Sequence, residues 1–201
     1  IKKFKKIKKK FNNHLSNKLI RNFNFKLTKN QISVIKEINS DLQSEYKMFR
    51  LLQGDVGSGK TIVSLIAAAN VIKSNWQVAL MAPTEILAKQ HYNLACKIFK
   101  STNINIKFLS GNSDSKQKKL IQENLINGKI NFLIGTHALF QKNIQFKNLG
   151  LVIIDEQHKF GVRQRMELSK KGGKNWDILL MSATPIPRTL ILAVYGDMDV
   201  S

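Results

Sequence analysis

Short apolar runs alternate along this chain with longer stretches in which apolar positions return every three or four residues. The runs at residues 49–53, 77–81, 104–109, 130–134, 151–154 and 178–181 have strand length and are mostly apolar. Continuous rather than alternating hydrophobicity marks strands covered on both faces. Between them, residues 61–73, 85–100 and 116–127 are long enough for crossover helices. Thr28 stands where it caps a further helix carrying Ile32, Ile35, Ile38 and Leu42. Strands separated by helices predict an α/β fold, a mainly parallel sheet with helices on both faces. Ligands of such sheets bind beyond the carboxyl ends of the strands, so the chemistry is to be sought in the loops there.

The first thirty residues depart from this pattern. They hold eleven basic side chains and no acidic one, the first carboxylate being Glu37. Ile1, Phe4, Ile7 and Phe11 fall at helical spacing and predict a basic helical lead-in over residues 1–22. Such a helix packs a thin apolar stripe on a neighbouring domain or lies against nucleic-acid phosphate. Residues 23–201 then form one domain.

Composition narrows the class. The 201 residues are 43% hydrophobic and 23% charged, an ordinary globular balance. The 33 Lys and Arg against 13 Asp and Glu, net +20, point to a polyanionic partner, nucleic acid above all. Abundant Lys, Asn and Ile is also what an AT-rich genome produces. No apolar run approaches the ~18 residues a membrane-spanning helix needs. Lysines interrupt the opening where a signal peptide would be apolar. A single cysteine, Cys96, fits a reducing cytoplasm and reads as a small core residue. The start at Ile1 marks an excerpt from a longer protein.

The sharpest local signal follows the strand at 49–53. Gly54-Asp55-Val56-Gly57-Ser58-Gly59-Lys60-Thr61 matches G-x-x-x-x-G-K-[ST] between a strand and a helix. Gly57 and Gly59 let the backbone wrap so that successive N–H groups face phosphate. The helix start adds its positive dipole end. Lys60 is placed to reach the β- and γ-phosphates, and the Thr61 hydroxyl to ligate Mg²⁺. A second signal ends the strand at 151–154: Asp155-Glu156-Gln157-His158. Asp155 suits Mg²⁺, Glu156 suits a general base on the attacking water, and Gln157 and His158 suit sensing of the γ-phosphate.

Taken in order, these segments resemble the first RecA-like lobe of superfamily-2 helicases of the DEAH/DExH-box kind. Phe25-Lys26-Leu27-Thr28 followed by Gln31 resembles the adenine-reading Q motif. GDVGSGKT resembles motif I, the segment from Ala82 to His91 motif Ia, Gly135-Thr136-His137 motif Ib, DEQH motif II and Ser182-Ala183-Thr184 motif III. The stretches LLQGDVGSGKT, MAPTEILAKQH, GTHAL, DEQHKFGVRQR and SATPIPRT are similar to the RecG family over about residues 23–201, and the head matches less well. Lys159 stands where that family usually has Arg, and Ser182 where it often has Thr. Transcription-repair coupling factors share the DEQH and ATPIPRT-like stretches but usually carry Phe at the position of Ser58.

The resemblance implies an ATP-binding motor lobe of a bacterial, cytoplasmic DNA translocase that remodels branched DNA and stalled forks in recombination and repair. It implies ATP and Mg²⁺ as cofactors. A second RecA-like lobe with an arginine finger and a wedge domain of the same polypeptide would be partners. Thr84, Gln90, His91, Gly135, Thr136 and His137 become candidates for DNA-backbone contact, with helix-surface polarity the other reading of Gln90 and His91. Ser182 and Thr184 become candidates for coupling the γ-phosphate state to DNA. Arg188 suits a phosphate or interlobe contact, and equally a salt bridge to Asp197 or Asp199. Two other functions stay open: the motor of a transcription-repair coupling factor, and a non-catalytic basic module that kept the P-loop fold. Intact Lys60, Thr61, Asp155 and Glu156 speak against the last.

Overall fold

The computed structural model of the chain describes residues 4–141, 143–155, 175–184 and 199–201. Seven parallel strands form its centre: β1 (Phe49–Gln53), β2 (Gln77–Met81), β3 (Ile106–Leu109), β4 (Phe132–Gly135), β5 (Leu149–Ile154), β6 (Asp177–Ser182) and β7 (Asp199–Val200). Their order across the sheet is β3-β4-β2-β5-β6-β1-β7. The expected α/β class with a parallel sheet is what forms. The six expected strands lie within two residues of their predicted ends. The two-residue strand β7 is an addition, beside Arg50 and Leu51 of β1.

Although the strands are nearly all apolar, alternate residues serve two separate cores. Leu52, Val78, Leu80, Phe132, Ile134, Leu151, Ile153, Leu179 and Met181 face one core. Leu51, Ala79, Met81, Leu133, Val152, Ile154 and Leu180 face the other. The first is closed by α1 (His14–Arg21), α2 (Lys29–Gln43), α3 (Lys60–Lys73) and α4 (Glu85–Ile98). The second is closed by α5 (Ser115–Ile126), a short 3-10 helix (His137–Phe140) and Trp176. Helix α3 is buried continuously from Val63 to Ile72, so the element that carries the phosphate loop is the one most firmly seated. Cys96 packs at the margin of the first core.

The opening segment differs from expectation. Among its described residues only His14–Arg21 is helical; residues 4–13 are irregular, with an antiparallel bridge between Lys5 and Tyr46. Phe4 and Ile7 are 71% and 58% exposed, as a stripe meant for a neighbouring domain would be, whereas Lys6 and Lys9 are buried. Both ammonium groups converge on Asp177, which opens β6 and is 0% exposed. Lys6 Nζ lies 2.7 Å from Oδ1 and Lys9 Nζ 2.5 Å from Oδ2. The Met48 N–H donates to the same carboxylate at 2.6 Å. A buried charge is tolerated when paired and fully hydrogen-bonded, and here two cations and a backbone donor do both. Burial pushes the Lys6 ammonium down to about 8, against the opposing pull of Asp177, and moves Lys9 downward for the same reason. The head is therefore clamped onto the sheet, and two of its lysines are spent internally.

Candidate nucleotide-binding site

The phosphate loop leaves β1 and enters α3 through two glycines in the left-handed region, Gly57 at φ 83° and Gly59 at φ 86°. Gly59 is the N-cap of α3. A side chain there is disfavoured by the positive φ, and its Cβ would lie 2.3 Å from Gln31 Nε2 and displace that amide. The loop tip is open: Asp55, Val56 and Ser58 are exposed. Lys60 folds back over the loop, its Nζ donating to the carbonyls of Gly54 at 2.5 Å and Asp55 at 2.8 Å. Thr61 occupies the first turn of α3, half-buried.

Gln31 joins this loop from α2. Thr28 caps α2, accepting from the Gln31 N–H, while Gln31 Oε1 accepts from the Thr28 N–H: a complete capping box. Gln31 Nε2 is then left to donate to the Ser58 carbonyl at 2.8 Å. Phe25 stacks on Phe23 at 5.0 Å between centroids and lines an open groove of about 550 Å³ with Ile62, Leu94 and Lys97.

Strand order decides what stands beside the loop. β6 lies between β1 and β5. Gln53 pairs in register with Ser182, and the Gly54 N–H donates to the Ser182 carbonyl at 3.3 Å. Ser182, with its hydroxyl against Thr184, thus sits between the phosphate loop and the end of β5. There Asp155 emerges, partly exposed, its backbone N–H on the Met81 carbonyl. Its Oδ2 meets His91 Nε2 of α4 at 2.6 Å. Glu156, Gln157, His158 and Arg188 lie outside the described residues.

The candidates on the DNA side divide by exposure. Thr84, Gln90 and His137 are exposed. Thr84 is the N-cap of α4 and accepts from the Leu87 N–H. His91 is 7% exposed and turned onto Asp155. Gly135 and Thr136 are buried as well. Gly135 answers to packing, since a Cβ would lie 1.8 Å from the Leu109 carbonyl of the neighbouring strand. The Thr136 hydroxyl has no hydrogen-bond partner among the described residues.

Sequence reasoning missed the His91–Asp155 pair, the Gln31–Ser58 tether and the Asp177 clamp. The first had a signal: Ala88, His91 and Ala95 form the buried stripe of α4, and a histidine on such a stripe needs a partner.

A glycine phosphate loop and a strand-end carboxylate, flanking Ser182 on one edge of a parallel sheet, define a RecA-like P-loop NTPase lobe. The model of the DEAD/DEAH box helicase family matches residues 28–192, and the chain belongs to that family. Within it the chain is similar, head included, to the ATP-dependent DNA helicase RecG of Aquifex aeolicus, 51% identical over 202 residues, covering 100% of the chain and 26% of that protein. RecG of Bacillus subtilis is 48% identical over 195 residues, covering 97% of the chain and 28% of that protein. A solved structure of RecG bound to a three-way DNA junction superposes with TM-score 0.84 at 47% identity, covering 98% of this chain and 26% of that one. The chain thus spans about a quarter of the length of the curated relatives it matches. Membership of this family implies ATP binding. Among the described residues no helix is long and apolar enough to cross a membrane.

Proposed function

We propose that this chain is the ATP-binding motor lobe of a RecG-like DNA helicase of the bacterial cytoplasm, hydrolysing ATP to remodel branched DNA and stalled forks in recombination and repair. The observation that supports the reading is the strand order: β6 brings Ser182 between the phosphate loop and Asp155, so the residues assigned here to phosphate, metal and coupling lie along one edge. The backbone N–H groups of residues 54–59 and the Lys60 ammonium hold the phosphates, and Phe25 and Gln31 take the adenine end. Thr61 and Asp155 are the oxygen donors for Mg²⁺. Mg²⁺ neutralises phosphate charge during transfer. Glu156 takes the proton of the attacking water, while Gln157 and His158 read the γ-phosphate.

Residues 23–201 are the lobe in this reading, and residues 1–22 its lead-in. Thr84, Gln90 and His137 touch the DNA backbone, which positions without reading sequence. Ser182, Thr184 and Arg188 carry the phosphate state toward that surface and a second RecA-like lobe. A wedge domain engages the branch. The test is DNA-stimulated ATPase activity of the full-length protein: Lys60→Ala and Glu156→Gln should each lower it by about 100-fold or more. Wild-type turnover in both variants defeats the reading.

A further inference from the structure

Helix α4 buries Ala88, His91 and Ala95 along one stripe. The two alanines are small and apolar; the histidine between them is neither. Burying an imidazole is costly unless its ring nitrogens are engaged, and Nε2 lies 2.6 Å from Asp155 Oδ2. Because the acceptor is a carboxylate, Nε2 carries the proton, in the neutral ring as in the imidazolium. The contact spans 64 residues of sequence and is well shielded, with side chains 9% and 14% exposed. It pins one carboxylate oxygen and with it the plane of the group.

We infer that His91 is a positioning residue: from α4 it orients the Asp155 carboxylate toward the metal of the bound nucleotide. This rests on the reading of Asp155 as a Mg²⁺ ligand. An outer partner that fixes a metal-binding carboxylate typically alters metal affinity 10- to 100-fold when removed. His91 stands seven residues after Thr84, the N-cap of α4. The helix capped by Thr84, which the proposed function places on DNA, is thus also the helix that aims the metal carboxylate.

The test uses the full-length protein and a fluorescent ATP analogue, titrated with Mg²⁺ and, separately, in EDTA. His91→Phe fills the space without a donor, and His91→Gln returns a donor at similar reach. The Mg²⁺ concentration for half-maximal binding should rise about 10-fold or more in His91→Phe. It should stay within about 3-fold of wild type in His91→Gln, with binding in EDTA unchanged in both. If His91→Phe does not fold, His91→Ala takes its place. A Mg²⁺ dependence in the donorless variant equal to wild type overturns the role. So does a folded His91→Gln as impaired as His91→Phe. Asp155→Asn separates the two claims. If it leaves the Mg²⁺ dependence intact, the metal reading and the role of His91 fall together. If it abolishes the dependence while His91→Phe does not, only the role of His91 falls.

Discussion

Gln31 Nε2 donates to the Ser58 carbonyl at 2.8 Å while Gln31 Oε1 accepts from the Thr28 N–H at 2.9 Å. One side chain thus closes the cap of α2 and holds the tip of the phosphate loop. The two tasks separate by substitution. Gln31→Glu keeps the acceptor for Thr28 but offers the Ser58 carbonyl no donor. It should preserve the urea midpoint and weaken ATP binding. Gln31→Ala loses both contacts and should also cost about 1 kcal/mol of stability. Equilibrium titration with ATP beside urea unfolding checks both; a Glu variant that binds ATP as wild type removes the tether from the nucleotide site.

Gly135 offers a test of what motif Ib does. Its Cβ would lie 1.8 Å from the Leu109 carbonyl, a backbone atom that moves only with β3. Gly135→Ala should destabilise the protein by about 3 kcal/mol through overpacking. Any loss of DNA binding should follow the loss of folded protein. Full stability combined with weakened DNA binding would show that the glycine serves DNA contact after all.

The Asp177 clamp predicts a non-additive set. Asp177→Ala leaves two buried cations facing no carboxylate and should cost about 3–5 kcal/mol. The triple variant Lys6→Met, Lys9→Met, Asp177→Asn removes all three charges and keeps an acceptor for the Met48 N–H. It should recover most of that loss. Urea unfolding of single and triple variants decides it, and a triple variant no better than the single argues against a clamp.

The same cluster sets a pH dependence. Lys6 and Lys9 share one carboxylate; Asp41 also acts on Lys6, and Lys9 in turn acts on Lys47. Folding lowers Lys6 from 10.5 to about 8, so between those values the unfolded chain binds more protons than the folded one. Stability therefore rises with pH in that window, by at most ~1.4 kcal/mol per pH unit for one proton. Relative to Lys6→Met, the wild-type urea midpoint should climb between pH 8 and 9. Parallel midpoints in the two proteins would rule out Lys6 as the source.

What the sequence made legible was local. The phosphate loop is a run of eight residues with its own strand and helix, and most strands declare themselves by continuous apolar runs, with β3 exposing Lys107. Thr28 and Gln31 stand at the spacing of a capping box. What stayed hidden depends on which segments the sheet brings together. His91 and Asp155 meet only because β2 and β5 are neighbours, with Met81 beside Ile154. Gly135 looks like part of a DNA motif until β3 lies against it. In the head, spacing pointed to a helix through Phe4 and Ile7. The carboxylate at the start of β6 instead draws Lys6 and Lys9 inward, because a buried charge needs its pairs, and nothing within the head announces that partner.

That dependence of Asp177 on the head bears on where the lobe can be cut. A recombinant fragment begun at the first recognisable motif, near residue 23 or 28, looks tidy on paper. It deletes Lys6 and Lys9 and leaves Asp177 in the sheet with the Met48 amide but neither cation. Without the head, the carboxylate at the start of β6 lies open to water, and so does the core surface that Phe11, Leu15, Leu19 and Ile20 cover. Poor yield from such a fragment would say nothing about its motifs. A boundary that keeps Phe4 onward retains the counter-charges, and with them a lobe that can be purified and weighed against the intact protein.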